Sequence, residues 1–311
     1  MKAAVIDTYG QVRDVVRVTD VPVPAVGPGD VLIEVRAAGV NPVDHLIVKG
    51  FLSAGEPAGP LVIGNELAGV VTEVGGEVTR FAVGDEVFSR VDPRVGGAFA
   101  EYVAVDQSLV AAKPSGLTFE EAASLPLVAL TALQALTEQA DVRAGTRVLI
   151  HGAAGGVGSA AVQIAKQLGA EVVATAGGAS VELVRGLGAD RVIDYRTEKF
   201  DDIVSDVDVV LDTIGGETQE RSFGVLKPGG TLVSIVPVAD AEARQAQWNV
   251  RARSFFMRPH GEQLAHLAGL VEAGRLRPIV EAVFPLDEAS EALQKVERGG
   301  ARGKTVIGVR V

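Results

Sequence analysis

The sequence predicts an α/β protein of two domains, one a mostly antiparallel β domain and the other a doubly wound parallel sheet. Three observations predict it. Short β-rich runs punctuated by Gly and Pro fill the first hundred residues, and strands and helices alternate from Thr118 onward. A chain of 311 residues, 47% of them apolar, also has material for more than one core.

In the first region Val31–Val35, Gly69–Val74 and Asp85–Phe88 are apolar or alternating runs between turn residues, which reads as strands. Thr118-Phe119-Glu120-Glu121 matches a capping box and opens an Ala/Leu-rich helical stretch to about Leu136. Arg147–His151 then reads as a strand, Val157–Leu168 as a helix ended by Gly169, and Glu171–Thr175 and Val207–Leu211 as buried strands. A helix near Glu217–Leu226, a turn at Pro228-Gly229-Gly230 and a strand Thr231–Val236 follow. Such repeated units imply a parallel sheet with helices on both faces. The segment Ala282–Leu286, a helix around Asp287–Glu297 and the strand Lys304–Val309 either close that sheet or return to the β domain.

Composition removes several function classes. With 29 Lys+Arg against 40 Asp+Glu the net charge is −11, so a basic patch for nucleic acid would work against the field of the whole chain. No cysteine is present, which removes disulfides, thiolate zinc sites and nucleophilic thiols and fits a reducing, cytoplasmic location. Asp7 interrupts the N-terminus before any apolar run of signal length, and no stretch approaches 18 uninterrupted apolar residues, so a membrane partner is not expected.

The strongest local signal is Ile150-His151-Gly152-Ala153-Ala154-Gly155-Gly156-Val157-Gly158, after a strand and opening a helix. Glycines there let the backbone approach a pyrophosphate, and free N–H groups at the helix start supply the positive end of the dipole. In the G-x-G-x-x-G frame the first position is Ala153, so two glycines of three match. Thr175 closes the next strand, followed by Ala176-Gly177-Gly178-Ala179-Ser180, with no Asp or Glu to hold a ribose 2′-hydroxyl. A 2′-phosphate would meet no repulsion, and Ser180, Arg185, Arg191 and Tyr195 are the nearest donors, which favours NADPH over NADH. Arg185 and Arg191 could equally be solvated surface charges.

With these stretches read, the chain resembles the medium-chain dehydrogenase/reductase superfamily, in its zinc-free quinone oxidoreductase branch. The matching segments are Ala38–Asp44, Ile63–Val71, Val83–Val87, Gly97–Tyr102, Leu130–Ala132, Ala153–Gly158 and Gly188–Asp190, in family order over nearly the whole length. The resemblance implies a GroES-like β domain from residues 1–115 and 282–311 with a Rossmann domain, 116–281, inserted between. It implies no catalytic metal. Zinc-dependent relatives carry a Cys before the position of Asn41 and a His where this chain has Asn65, and His45, His151, His260 and His266 form no i, i+4 pair around a carboxylate base.

By the same resemblance Asn41 faces the nicotinamide, Thr131 touches the cofactor from a linking helix, and Gly155, Gly156 and Val157 meet the pyrophosphate. Thr175, Gly177, Ser180 and Tyr195 lie toward the adenosine end, Ile214 and Val236 flank the nicotinamide, and Lys304 approaches the same cleft. Structural alternatives stand beside these: a turn role for Asn41, a helix-surface hydroxyl for Thr131, core positions for Ile214 and Val236.

The expected chemistry is NADPH-dependent reduction of acceptors activated by conjugation, quinones or α,β-unsaturated carbonyls, since no metal is there to polarise an alcohol. Asn41 would donate to the oxygen that gains charge, and His45 or water would deliver the proton. Rival readings are an enoyl or 2-alkenal double-bond reductase and an NADP-binding redox-sensing protein with little catalysis. A homodimer is expected from the family.

Overall fold

The computed structural model describes residues 1–52 and 55–310. The chain forms two compact units, Met1–Leu130 with Arg258–Val311, and Thr131–Met257. In chain order the first unit begins with β1 (Lys2–Ile6), α1 (Val12–Val15), β2 (Arg17–Asp20), β3 (Asp30–Val40), α2 (Pro42–Val48), β4 (Leu61–Val62) and β5 (Glu66–Val74). Then come β6 (Glu86–Arg90), β7 (Tyr102–Asp106), β8 (Val110–Ala112), α3 (Phe119–Ala123) and α4 (Pro126–Gln134), within which the unit boundary falls. The second unit holds β9 (Arg147–Ile150), α5 (Gly156–Gln167), β10 (Glu171–Ala176), α6 (Ser180–Gly186), β11 (Arg191–Asp194) and β12 (Val207–Asp212). It continues through α7 (Gly216–Ser222), β13 (Leu226–Ser234), α8 (Ala241–Trp248) and β14 (Arg251–Ser254). The chain then returns to the first unit with α9 (Gly261–Glu272), β15 (Val280–Pro285), α10 (Ala289–Glu297) and β16 (Lys304–Gly308).

In the first unit β2-β1-β4 form one small sheet, and a larger one runs β15-β16-β3-β5-β6-β8, with β7 also on β3. Antiparallel pairing dominates, as the Gly- and Pro-bounded runs predict, and β16 lies antiparallel to β3 with Thr305 opposite Val40. The core beneath is built from alternate strand residues such as Ile33, Val35, Leu67 and Ile307, closed by Leu293 of α10. Helix α9 also belongs here: Gly261 sits so close to Ser108 that a Cβ would come within 2.4 Å of its carbonyl oxygen. The two compact units divide the chain at residues 130 and 257.

The second unit is a parallel sheet in the order β11-β10-β9-β12-β13-β14. Its order reverses beside β9, which places the loop after β9 where open α/β sheets take their ligands. One local reading is corrected. Pro228-Gly229-Gly230 is a bulge inside β13, between Leu226 paired to Val207 and Thr231 paired to Val209, because the extra residues are accommodated by Gly229 at φ +79°. His260 lies at the N-cap of α9, where its ring accepts from the Gln263 N–H.

Candidate functional site

The loop after β9 is shaped by glycines in three different ways. Gly152 has φ +64°, and a Cβ there would meet Thr213 Oγ1 at 2.4 Å, so this residue makes the tight turn one position earlier than the sequence frame places it. Gly155 caps α5 with an extended backbone and donates to the Gly152 carbonyl at 3.0 Å. A Cβ on Gly158 would stand 2.3 Å from the Gly152 oxygen, so glycine is required for α5 to approach the strand. The first-turn amides of Gly156, Val157 and Gly158 have no partner one turn back and present the positive end of a twelve-residue helix to a cradle lined by backbone. The loop fits a dinucleotide pyrophosphate.

At the end of β10 the parallel register sets Ala176 beside Asp194, which brings the turn after β11 to the same place. The exposed Tyr195 ring covers Gly177, where a Cβ would lie 2.7 Å from the phenol oxygen. Arg196 packs over Gly178, with Nη1 2.8 Å from the position a Cβ would take. Asp194 is turned onto the backbone, accepting from Gly178 N at 3.1 Å and Arg196 N at 3.0 Å.

The residues expected near a 2′-phosphate are not brought together. Arg191 pairs with Val173, three residues short of the end of β10, and Arg185 is bonded to Glu182. Ser180 is buried at the start of α6. Arg196 is the cation that sequence reasoning passed over, and the signal was its place directly after Tyr195, beyond the end of a parallel neighbour.

Thr175 is committed to the unit's interior. Its carbonyl accepts from Ala153 N at 3.0 Å, and its hydroxyl lies 3.0 Å from His151 Nδ1. His151 Nε2 is 2.9 Å from Ser222 Oγ, whose proton goes to the Thr218 carbonyl at 2.6 Å. The ring must then donate from Nε2 and accept at Nδ1, a neutral tautomer, and burial pushes its pKa down to about 4. Ile214 is 55% exposed beside Gly152, Val236 is half-buried against Gly215, and Thr131 is buried on α4.

In the first unit Asn41, His45 and Lys304 are distributed between two settings. Asn41 precedes α2, 1% exposed; its Nδ2 donates to Glu66 Oε1 at 2.6 Å and toward the Gly39 carbonyl at 3.4 Å. Its Oδ1 accepts from Lys304, whose Nζ also donates to the Val40 carbonyl at 2.7 Å and Glu66 Oε1 at 2.8 Å. Glu66 Oε2 takes the Leu127 N–H at 2.7 Å. The Asn41 amide thus already has acceptors inside the protein, a short one in Glu66 and a long one in the Gly39 carbonyl. His45 instead faces Lys49 and Glu297 of α10, and burial lowers its pKa.

The buried centre extends through Asp44, which accepts from Asn41 N at 2.7 Å and from Asn65 Nδ2. Arg90 follows, donating from Nη1 to the Asn65 carbonyl at 3.0 Å. Asp44, Glu66, Arg90 and Lys304 are all buried, two anions against two cations. Burial raises the Asp44 carboxyl to about 6 despite the Asn65 and Asn41 donors and the nearby cations. Asn65 and Asn41 offer a metal neither imidazole nor thiolate, and among the described residues no group of three His, Cys, Asp or Glu could hold a metal ion.

A glycine-cradled parallel sheet joined to a β unit with a buried centre of Asn, Lys, Arg and carboxylate side chains defines a nicotinamide-dependent oxidoreductase. Residues 27–115 match the alcohol dehydrogenase GroES-like domain family, and residues 187–307 the zinc-binding dehydrogenase family. The chain is 38% identical to the human mitochondrial NAD(P)H oxidoreductase RTN4IP1, covering 99% of this chain and 89% of that protein. It is 37% identical to 2-methylene-furan-3-one reductase of Solanum lycopersicum, covering 99% and 79%. The quinone oxidoreductase structure from Coxiella burnetii superposes with a TM-score of 0.90 at 36% identity, over 100% of this chain and 99% of that one. The chain belongs to the medium-chain dehydrogenase/reductase superfamily, in its zinc-free branch, and its fold is the GroES-like and Rossmann pair of that superfamily.

Proposed function

We propose that the chain is an NADPH-dependent reductase of conjugated carbonyl acceptors, quinones or α,β-unsaturated carbonyls. The observation that carries the cofactor choice is the end of β10, which among the described residues offers no free carboxylate and sets the Arg196 guanidinium, without a side-chain partner, beside Gly178. When bound, NADPH supplies the hydride. Gly156 and Val157 hold the pyrophosphate through free backbone N–H groups, with Gly155, which has no side chain, leaving room for its approach, while Gly177, Tyr195 and Arg196 take the adenosine end and its 2′-phosphate.

With Asn and Lys filling the buried centre, the chain has no Lewis acid of its own for an unactivated alcohol, so an acceptor already polarised by conjugation suits it. Asn41 and Lys304 act as positioning residues in this reading, keeping Glu66 compensated. Proton delivery is assigned to water or to His45 acting as a relay, its imidazole giving one ring N–H proton while the other ring nitrogen takes a proton from solvent, since burial lowers its pKa and leaves it neutral at pH 7. Relatives named as a furanone reductase and an NADPH-dependent alkenal/one oxidoreductase favour the alkenal arm of the acceptor class as a second reading. A cytoplasmic homodimer completes the proposal, with the lack of cysteine supporting the compartment.

The test is an equilibrium titration with NADPH and NADH at matched ionic strength, followed by NADPH oxidation with a quinone and with a 2-alkenal. Tighter NADPH binding and turnover of at least one acceptor are expected. Equal or tighter NADH binding removes the cofactor choice, and silence toward both acceptors removes the reductase reading.

A further inference from the structure

The second unit carries a concavity of about 430 Å³ at the N-terminal end of its sheet, the end opposite the phosphate loop. Its floor is Val209 of β12 and Thr231 of β13, both buried. Arg251 and Arg253 of the edge strand β14 form one wall and the segment 138–143 the other. Ala252 packs with Leu232 in the core on the far face, so the two arginines, two residues apart, share the near face with Thr231.

The charge of this lining is opposite to that of the chain. Four cations, Arg143, Lys227, Arg251 and Arg253, meet three acids, Glu138, Asp141 and Asp208, in a protein whose net charge is −11. Arg143 is bonded to Asp141 and Lys227 to Asp208. Among the described residues Arg251 and Arg253 make no side-chain hydrogen bond or ion pair. Two arginines with unpaired guanidinium groups, on backbone positions about 7 Å apart along a strand, suit a phosphate or diphosphate, whose oxygens accept in pairs. At about 30 Å³ per water, the cavity has room for a phosphorylated molecule of nucleotide size, within the range of small-ligand pockets.

We propose that this concavity binds a small phosphorylated anion, separately from the dinucleotide loop, with Arg251 and Arg253 as its recognition pair. Pyrophosphate is the probe. It is titrated into the full chain against chloride of equal ionic strength, with and without saturating NADPH, while melting temperature and heat of binding are followed. The expected result is one saturable site per chain that persists under NADPH and raises the melting temperature by about 3 °C. Arg251→Gln/Arg253→Gln should abolish that site and leave the NADPH Kd within about twofold; both side chains are exposed, so the fold is expected to tolerate the change.

No saturable effect on the wild-type chain overturns the proposal, as does an effect that NADPH removes and the double variant retains, which would place pyrophosphate at the loop after β9. If pyrophosphate is without effect and the double variant alters the molecular mass in solution, the guanidiniums serve a second copy and the anion site falls. Failure of NADPH to bind at all counts against the proposed function and leaves the probe titration without NADPH as the test of this site.

Discussion

His151 and Asp44 should make the stability of this protein unusually flat across mildly acidic pH, because they pull in opposite directions over nearly the same window. His151 titrates at about 4 in the folded state against 6.5 unfolded, so between those values the unfolded chain binds more protons and stability rises with pH. At 1.36 kcal/mol per unit this is worth about 3 kcal/mol. Asp44 titrates at about 6 folded against 3.8 unfolded, so the folded state binds more protons and stability falls with rising pH, again by about 3 kcal/mol. The two contributions nearly cancel between pH 4 and 6. The perturbation that exposes them is His151→Asn, with Asp44→Asn as its mirror. Each variant will lose some stability outright, so the quantity to compare is the slope of unfolding free energy against pH from urea titrations at pH 4, 5 and 6. Without His151 the slope should turn negative, approaching −1 kcal/mol per pH unit in order of magnitude; without Asp44 it should turn positive by a similar amount. If the units unfold separately, the two transitions of the wild-type chain should drift in opposite directions with pH. Parallel slopes in wild type and both variants would refute the reasoning.

Three further outcomes are expected. Lys304→Met strips Glu66 of a buried cation and should cost about 3–5 kcal/mol, whereas Lys304→Met/Glu66→Gln should recover part of that; equal losses in both variants, by denaturant titration, would show that the ion pair is not the cause. Arg196→Gln should raise the NADPH Kd roughly tenfold and leave NADH within about twofold, and matched weakening of both in a fluorescence titration would remove Arg196 from the 2′-phosphate site. Because Asn65 and Asn41 offer no imidazole or thiolate, purified protein should carry well below one equivalent of zinc and keep its turnover in EDTA; stoichiometric zinc lost together with activity would contradict this.

The parallel sheet was legible because β9, β10 and β12 each carry an apolar stretch, Val148–Ile150, Val172–Ala174 and Val209–Leu211, the mark of strands covered on both faces. The start of β13 was not, since Pro228-Gly229-Gly230 has the chemistry of a turn and only its neighbour β12 shows that it is a bulge. In the site, the glycines were legible in number but shifted in role, because the positive φ of Gly152 depends on Thr213 and Ile214, sixty residues away, crowding it. Arg196 was hidden for a related reason: its position follows from the β10–β11 register and not from any local pattern. The buried centre was the least readable. Asn41 appears in the sequence as a turn residue before proline, and nothing near it announces that its amide bridges Glu66 and a lysine 263 residues further on.

The same long reach bears on how the chain is made. Glu66 is synthesised 238 residues before the ammonium that neutralises it, an interval of about 12–50 s at a ribosomal rate of 5–20 residues per second. Until Lys304 emerges, the nascent β unit holds Glu66 and Asp44 with only Arg90 to balance them, and β3 lacks β16 along one edge. An uncompensated carboxylate resists burial, so the N-terminal segment should stay open on the ribosome while the second unit, whose residues all emerge in the meantime, is free to close first. Translation order and folding order would then run opposite to each other in this protein, and the arrival of one lysine would be the event that lets the first-made strands seal.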